Sequence, residues 1–179
     1  MAVIKPKSVR IIYRRFILRP FRQSDIPALV KHINDKTIAG NTLAIPYPYK
    51  LKHAHIWLRR LQNIARRKNP SMANFVIEIE GELVGSIAVF KIHDHKAEVG
   101  YWLSRQYWGR GIMTEAVKEI ARFSRNQLGL RRIYAYVFPH NKASARVLEK
   151  SGFKFEGLLR KNVKKGEKLL DELLYARLL

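Results

Sequence analysis

Gln106-Tyr107-Trp108-Gly109-Arg110-Gly111-Ile112-Met113-Thr114-Glu115-Ala116 is the stretch whose reading decides the fold. It follows the run Glu98-Val99-Gly100-Tyr101-Trp102-Leu103 and opens a pattern with apolar residues at Ile112, Ala116, Ile120, Phe123 and Leu128. A strand, a tight glycine turn and a helix N-terminus are therefore expected in that order. Glycines let backbone approach a ligand closely, and the first N–H groups of a helix lack intrahelical partners at the positive end of its dipole. Such a place holds an anion.

The spacing, Gln-x-x-Gly-x-Gly, is neither a Walker loop, since no Gly-Lys-Ser/Thr follows, nor G-x-G-x-x-G. Taken alone it fits a turn that binds nothing as well as one that binds phosphate. The chain of 179 residues, 47% hydrophobic, suffices for one domain over residues 1–179 with a sizeable core. No internal repeat or second domain is visible. Without cysteine there is no disulfide, thiolate nucleophile or sulfur-ligated metal. The pairs His53/His55 and His93/His95 lie in polar surroundings without a third ligand and read as surface residues, so no metal is expected. No segment approaches the roughly eighteen apolar residues of a membrane span, and the N-terminus lacks signal-peptide features. A cytoplasmic chain with no membrane contact is the expectation.

The formal charge is +21, and it is uneven: residues 1–77 carry sixteen Lys or Arg against two acids, Asp25 and Asp35. A field of this sign draws polyanions such as nucleic acid, an anionic cofactor or an acidic partner surface. Plain solubility accounts for the same excess.

Residues 1–15 read as a basic arm or an edge strand. Phe16 to Phe21 reads as a first strand, and Ser24 as the cap of a helix carrying Ile26, Leu29, Val30 and Ile33. Gly40 and Pro46-Tyr47-Pro48 mark a loop. A second helix is expected over about residues 50–68, with a stripe of Leu51, Ala54, Leu58, Leu61 and Ala65 and basic residues on its other faces. Phe75–Ile79 and Leu83–Phe90 form a hairpin across Glu80-Gly81-Glu82. Glu98–Leu103 continues the meander. A helix over 112–127 stops at Gly129, and Ile133–Phe138 is a strand. Asn141 caps a short helix ending near Gly152, and the runs Phe153–Leu159 and Leu169–Leu179 pair across Lys164-Lys165-Gly166-Glu167.

Three local patterns in this order resemble the GCN5-related N-acetyltransferase (GNAT) superfamily over nearly the whole chain. The first is Glu98–Leu103 leading into Tyr107-Trp108-Gly109-Arg110-Gly111. The second is Asn141-Lys142-Ala143-Ser144 with Val147-Leu148-Glu149-Lys150 and Gly152-Phe153 behind it. The third is Leu18-Arg19-Pro20 with Ser24-Asp25. They look most like the branch that acetylates N-terminal amines of ribosomal proteins, which also contains small-amine acetyltransferases.

The resemblance implies an α/β (α+β) fold: a mixed, mostly antiparallel sheet flanked by helices, with strands splayed at the cofactor site. It implies acetyl-CoA as co-substrate. The diphosphate would lie on the amides from Gln106 through Gly109, Arg110, Gly111, Ile112, Met113 and Thr114, and the pantetheine arm along Tyr101, Trp102 and Leu103 with Asn141 in contact. Gly100 suits a bulge, a close ligand approach or simple packing. Trp102, Tyr107 and Trp108 read as packing that pins the turn. Arg110, Lys142 and Arg146 are candidates for the adenosine phosphates.

Transfer needs a neutral amine. At pH 7 an α-amine with a pKa of about 8 loses its proton at a cost of about 1.4 kcal/mol, against about 4.6 kcal/mol for a lysine. A modest base suffices for the former, and Glu98 is the candidate, with Glu78 in reserve. Ser144 is the candidate that stabilises the departing thiolate. The function expected is direct acetyl transfer in a ternary complex to a primary amine, a protein N-terminus first and a polyamine, aminoglycoside or amino acid second. A nucleic-acid-binding or acyl-CoA-sensing GNAT-like module without activity is the alternative of another class. A salt-sensitive ribosome or RNA contact fits the charge, and a monomer or homodimer is expected.

Overall fold

The computed structural model describes residues 10–66 and 71–179. The start of the basic arm and the end of the helix expected to reach residue 68 lie outside the described residues. The described residues form eight strands, β1 (Ile11–Tyr13), β2 (Phe16–Arg19), β3 (Met72–Ile79), β4 (Glu82–His93), β5 (Lys96–Leu103), β6 (Arg132–Val137), β7 (Lys154–Lys165) and β8 (Lys168–Leu178). The helices are α1 (Ile26–Ile33), α2 (Lys36–Gly40), α3 (Leu51–Ala65), α4 (Ile112–Leu128) and α5 (Lys142–Lys150). The strands form one sheet in the order β1-β2-β3-β4-β5-β6-β8-β7. Every neighbouring pair is antiparallel except β5 with β6, which is parallel. This is the mixed, mostly antiparallel sheet that the sequence led us to expect.

Strand alternation decides which helices cover which face. Phe75, Ile87, Val99 and Ile133 point to the side where α4 and α5 lay down Ile112, Ala116, Ile120, Phe123 and Leu148. Val76 and Leu83 point to the other side, against Ile26, Leu29 and Ile33 of α1 and Ala54 and Leu58 of α3. Each Val, Leu, Ile or Phe side chain among them, fully buried, stabilises the fold by about 1.5–3 kcal/mol.

A buried ion network fixes α1 to the sheet. Arg19 makes two parallel bonds to Asp25, 2.7 and 2.8 Å, and also bonds Glu78. The Arg22 N–H donates to Asp25 at 2.7 Å. The Leu18-Arg19-Pro20/Ser24-Asp25 pattern is thus a structural clamp. It also argues against Glu78 as a reserve base, because its carboxylate is held by Arg19 and does not line the cavity described below.

Several local expectations are corrected. Ser24 does not cap α1; it lies within a 3-10 turn, Gln23–Asp25, and Asp25 stands at the N-cap instead. Gly40 ends a short helix, α2, because Asp35 accepts from the N–H groups of Thr37 and Ile38 and so starts one. No bulge occurs at Gly100, where the β4–β5 register is regular; the shift falls between Phe90 and His93. A Cβ at Gly100 would come within 2.8 Å of the Phe90 ring, so the glycine there makes room for Phe90. The final hairpin reaches further than expected, and Lys165 near its tip donates to the carbonyls of Ala39 (2.6 Å), Gly40 (3.3 Å) and Thr42 (2.6 Å).

Candidate active site

The parallel pairing of β5 with β6 covers Lys96↔Arg132, Ala97↔Ile133 and Glu98↔Tyr134, and no further. Beyond Glu98 the strands part, although β5 runs on to Leu103 and β6 to Val137. The gap opens into a cavity of about 1650 Å³ that reaches both faces of the sheet. Peptide groups facing such a gap need partners, and a ligand with amide groups of its own can supply them.

At one end of the gap stands the glycine turn. Gly109 and Gly111 take left-handed φ angles of 73° and 75°, and Gly111 is the N-cap of α4. The first bond of the helix is from Glu115 N–H to Gly111 C=O at 3.2 Å. Among the described residues, none of the N–H groups from Gly109 to Thr114 donates to another group. The turn is braced from outside: Trp108 Nε1 donates to Leu103 C=O at 2.7 Å, and Tyr13 OH donates to Glu115 at 2.9 Å. Trp108 therefore pins the turn, as expected. Lys118, Arg146 and Lys150 line the same end of the cavity and supply positive charge.

Across the gap, Asn141 caps α5 by accepting from Ser144 N–H at 3.2 Å. The Ser144 hydroxyl meets the Tyr101 hydroxyl at 2.9 Å. Burial pushes the Tyr101 phenol up, with the Ser144 bond opposing it, so both groups stay protonated across the physiological range.

At the other end, where pairing stops, lies Glu98. Its side chain is 12% exposed, and Lys91 Nζ stands 2.8 Å away. Burial pushes the Glu98 carboxyl above the ordinary carboxylate range; Lys91 opposes the rise and Glu172 adds to it. A carboxyl so raised is better matched to taking a proton near neutrality than an exposed one.

Of the residues singled out from sequence, Glu98, Tyr101, Trp102, Leu103, Gly109, Gly111, Ile112, Met113, Thr114, Asn141 and Ser144 all line this cavity. Gln106 and Arg110 do not. Gln106 is exposed in a 3-10 turn, and the Arg110 guanidinium sits 5.5 Å over the Tyr107 ring. Sequence reading missed Lys91, Asn74, Ser86, Glu172 and the loop from Asn41 to Tyr49, all of which border the cavity. Their proximity depends on strand register and on the bulge after Phe90, neither of which leaves a glycine or proline signal.

A split parallel strand pair beside a helix N-terminus with free amides defines an acyl-CoA-dependent transferase class by fold and site together. The family profile of the acetyltransferase (GNAT) domain matches residues 15–154, and the chain belongs to that family. Similar proteins include "Probable N-acetyltransferase YjcK" of Bacillus subtilis (strain 168), 44% identical over 88 residues, 48% of this chain and 49% of that protein. Another is the "L-amino acid N-acetyltransferase AaaT" of Escherichia coli (strain K12), 27% identical over 90% of this chain and 96% of that one. Among solved structures, Mycobacterium smegmatis RimJ in complex with CoA-disulfide is 29% identical, with a TM-score of 0.81 over 91% of this chain and 81% of that chain. The ribosomal-protein-S5-alanine acetyltransferase from Vibrio fischeri is 26% identical, with a TM-score of 0.80 over 96% and 97%. Among the described residues no helix is long and apolar enough to cross a membrane.

Proposed function

We propose that this N-acetyltransferase uses acetyl-CoA to acetylate the N-terminal α-amine of a protein, a ribosomal protein first, within one catalytic domain in the cytoplasm. The observation that carries the reading is the single cavity in which free amides, a parted strand pair and a raised carboxyl lie in sequence. The amides from Gly109 to Thr114 fit a diphosphate. The unpaired edges of β5 and β6 fit the amide groups of a pantetheine arm, and Asn141 lies beside that path.

Glu98, reached directly or through water, takes one proton of the incoming ammonium; the freed amine forms its C–N bond as the C–S bond breaks, and the proton that the new amide nitrogen sheds goes to the leaving thiolate. Ser144, backed by Tyr101, offers a hydrogen bond where negative charge gathers on the leaving sulfur. No covalent intermediate on the protein is needed, in keeping with a chain that lacks cysteine. Exposed Lys52, Arg59 and Arg60 on α3, and Arg66 just past its end, support a contact with RNA beside the acceptor.

A single free amino acid is the second acceptor reading, supported by the likeness to AaaT. Incubating the protein with acetyl-CoA and matched ribosomal-protein peptides and amino acids, followed by intact-mass detection, tests both. Acetylated peptide is the expected product. Acetyl transfer to free amino acids in preference to peptides contradicts the main reading, and no transfer to any amine contradicts both.

A further inference from the structure

On the sheet face that looks toward α1 and α3, the strand registers set three cross-strand rows side by side. Met72, Phe90 and Glu98 form one row, Asn74, Ala88 and Gly100 the next, and Val76, Ser86 and Trp102 the third. The middle row holds small residues next to Asn74, and the Phe90 ring leans over Gly100. Asn74, Ser86, Ala88, Phe90, Glu98 and Trp102 all border the cavity.

Asn74 is the unusual member. Its Nδ2 donates to Ser86 Oγ at 3.0 Å, which turns Oδ1 the other way. Oδ1 is buried and has no hydrogen-bond partner among the described residues. A buried carbonyl oxygen left unpaired costs about 1–3 kcal/mol, so it needs a donor that no described residue supplies, and a ligand seated over Asn74 can bring one. The partner must be an N–H or O–H donor.

The position of Asn74 sets how far along the acceptor that donor lies. β3 is two strands from β5, beside which the reacting nitrogen must stand, and two strand spacings are about 10 Å. An extended chain covers about 3.4 Å per residue, so the donor lies about three residues in from the amine. A free amino acid is too short to touch both places.

Resting on the acetyltransferase reading above, we propose that Asn74, oriented by Ser86, is a specificity-determining residue that accepts the N–H following the third residue of an extended peptide acceptor. The enzyme thereby selects chain termini over free amino acids. It is a binding contact, remote from the atoms that react, so its loss weakens acceptor capture and leaves acetyl-CoA capture alone.

The test uses the full chain, acetyl-CoA and a series of acceptors sharing one first residue: the amino acid amide, then di-, tri- and tetrapeptide amides. In the wild-type protein kcat/KM is expected to rise at least tenfold as the third residue is added. Asn74→Leu is expected to flatten that rise through acceptor KM, with acetyl-CoA KM unchanged. Asn74→Asp keeps an acceptor oxygen, to which Ser86 can donate, and is expected to restore the rise. A wild-type enzyme indifferent to length, or an Asn74→Leu enzyme that keeps the full rise, overturns the inference while acetyl transfer itself stands. Failure of transfer to every acceptor overturns the underlying reading and this inference together.

Discussion

The hydroxyls of Tyr101 and Ser144 meet at 2.9 Å across the gap between β5 and the start of α5. The two residues come from opposite sides of the opened sheet, so the bond both bridges the cavity and holds the Ser144 Oγ in one orientation. Tyr101 thus sets a phenol, carried on a strand, beside the first turn of α5.

Ser144→Ala is expected to lower kcat about tenfold or more, with the acetyl-CoA dissociation constant within about twofold of wild type, since a tenfold rate loss is about 1.4 kcal/mol and matches one hydrogen bond to developing charge. Tyr101→Phe should give a smaller loss in the same direction. Stopped-flow turnover beside calorimetric binding checks both. Collapse of acetyl-CoA binding in Ser144→Ala would make the serine structural.

Glu98 predicts a pH dependence. As a base it must be ionised, and burial raises its pKa, so activity falls as pH drops through that raised value. Removing the opposing cation in Lys91→Met should move the acidic limb of kcat/KM to higher pH, and Glu98→Gln should abolish that limb and slow turnover most where Glu98 is ionised and the amine is still protonated. The stability sign is the reverse of the usual carboxylate case. A carboxyl with a raised folded-state pKa lends stability that is present below its unfolded pKa and lost as pH rises through the folded one. The Tm of Glu98→Gln should therefore gain on the wild type as pH climbs from about 4 to 7.5.

Arg19 and Asp25 are both almost fully buried, 3% and 5% exposed, and Glu78 completes their network. Arg19→Met leaves the Asp25 and Glu78 carboxylates without their cation and is expected to cost about 3–5 kcal/mol by urea denaturation. A loss below about 1 kcal/mol would mean that the network is open to water.

Lys165 ties the final hairpin to the end of α2, and thence to the loop that borders the cavity on the acceptor side. Losing its bonds in Lys165→Met should cost about 1–2 kcal/mol and raise the acceptor KM several-fold. The acetyl-CoA KM, set at the other end of the cavity, should not move.

If the basic surface of α3 meets RNA, co-sedimentation with ribosomes should fall steeply between about 50 and 200 mM salt. Binding that ignores salt, or is absent at low salt, contradicts the contact.

The glycine turn could be read from sequence because its cause is local: two glycines at fixed spacing before a helical pattern fix strand, turn and helix N-terminus within a dozen residues. The same holds for Asn141 at its cap. Tyr101 and Ser144 were both singled out, yet their bond spans 43 residues and depends on where α5 packs. Lys91 reaches Glu98 because the register shifts after Phe90, and Lys91 itself takes a φ of 52°, a conformation its residue type does not announce. Asn74 meets Ser86 through the β3–β4 register, which no short pattern encodes. Ser24 was misread because Asp25, one residue on, is drawn in by Arg19 and takes the capping position.

The central claim is that the parted strands β5 and β6, with the free amides of the Gly109–Thr114 turn, receive acetyl-CoA. A crystal structure of the protein with CoA measures this most directly. The account predicts the diphosphate on those amides and the pantetheine arm between Glu98–Leu103 and Tyr134–Val137. A cofactor bound elsewhere, with β5 and β6 closed on each other beyond Glu98, would contradict it.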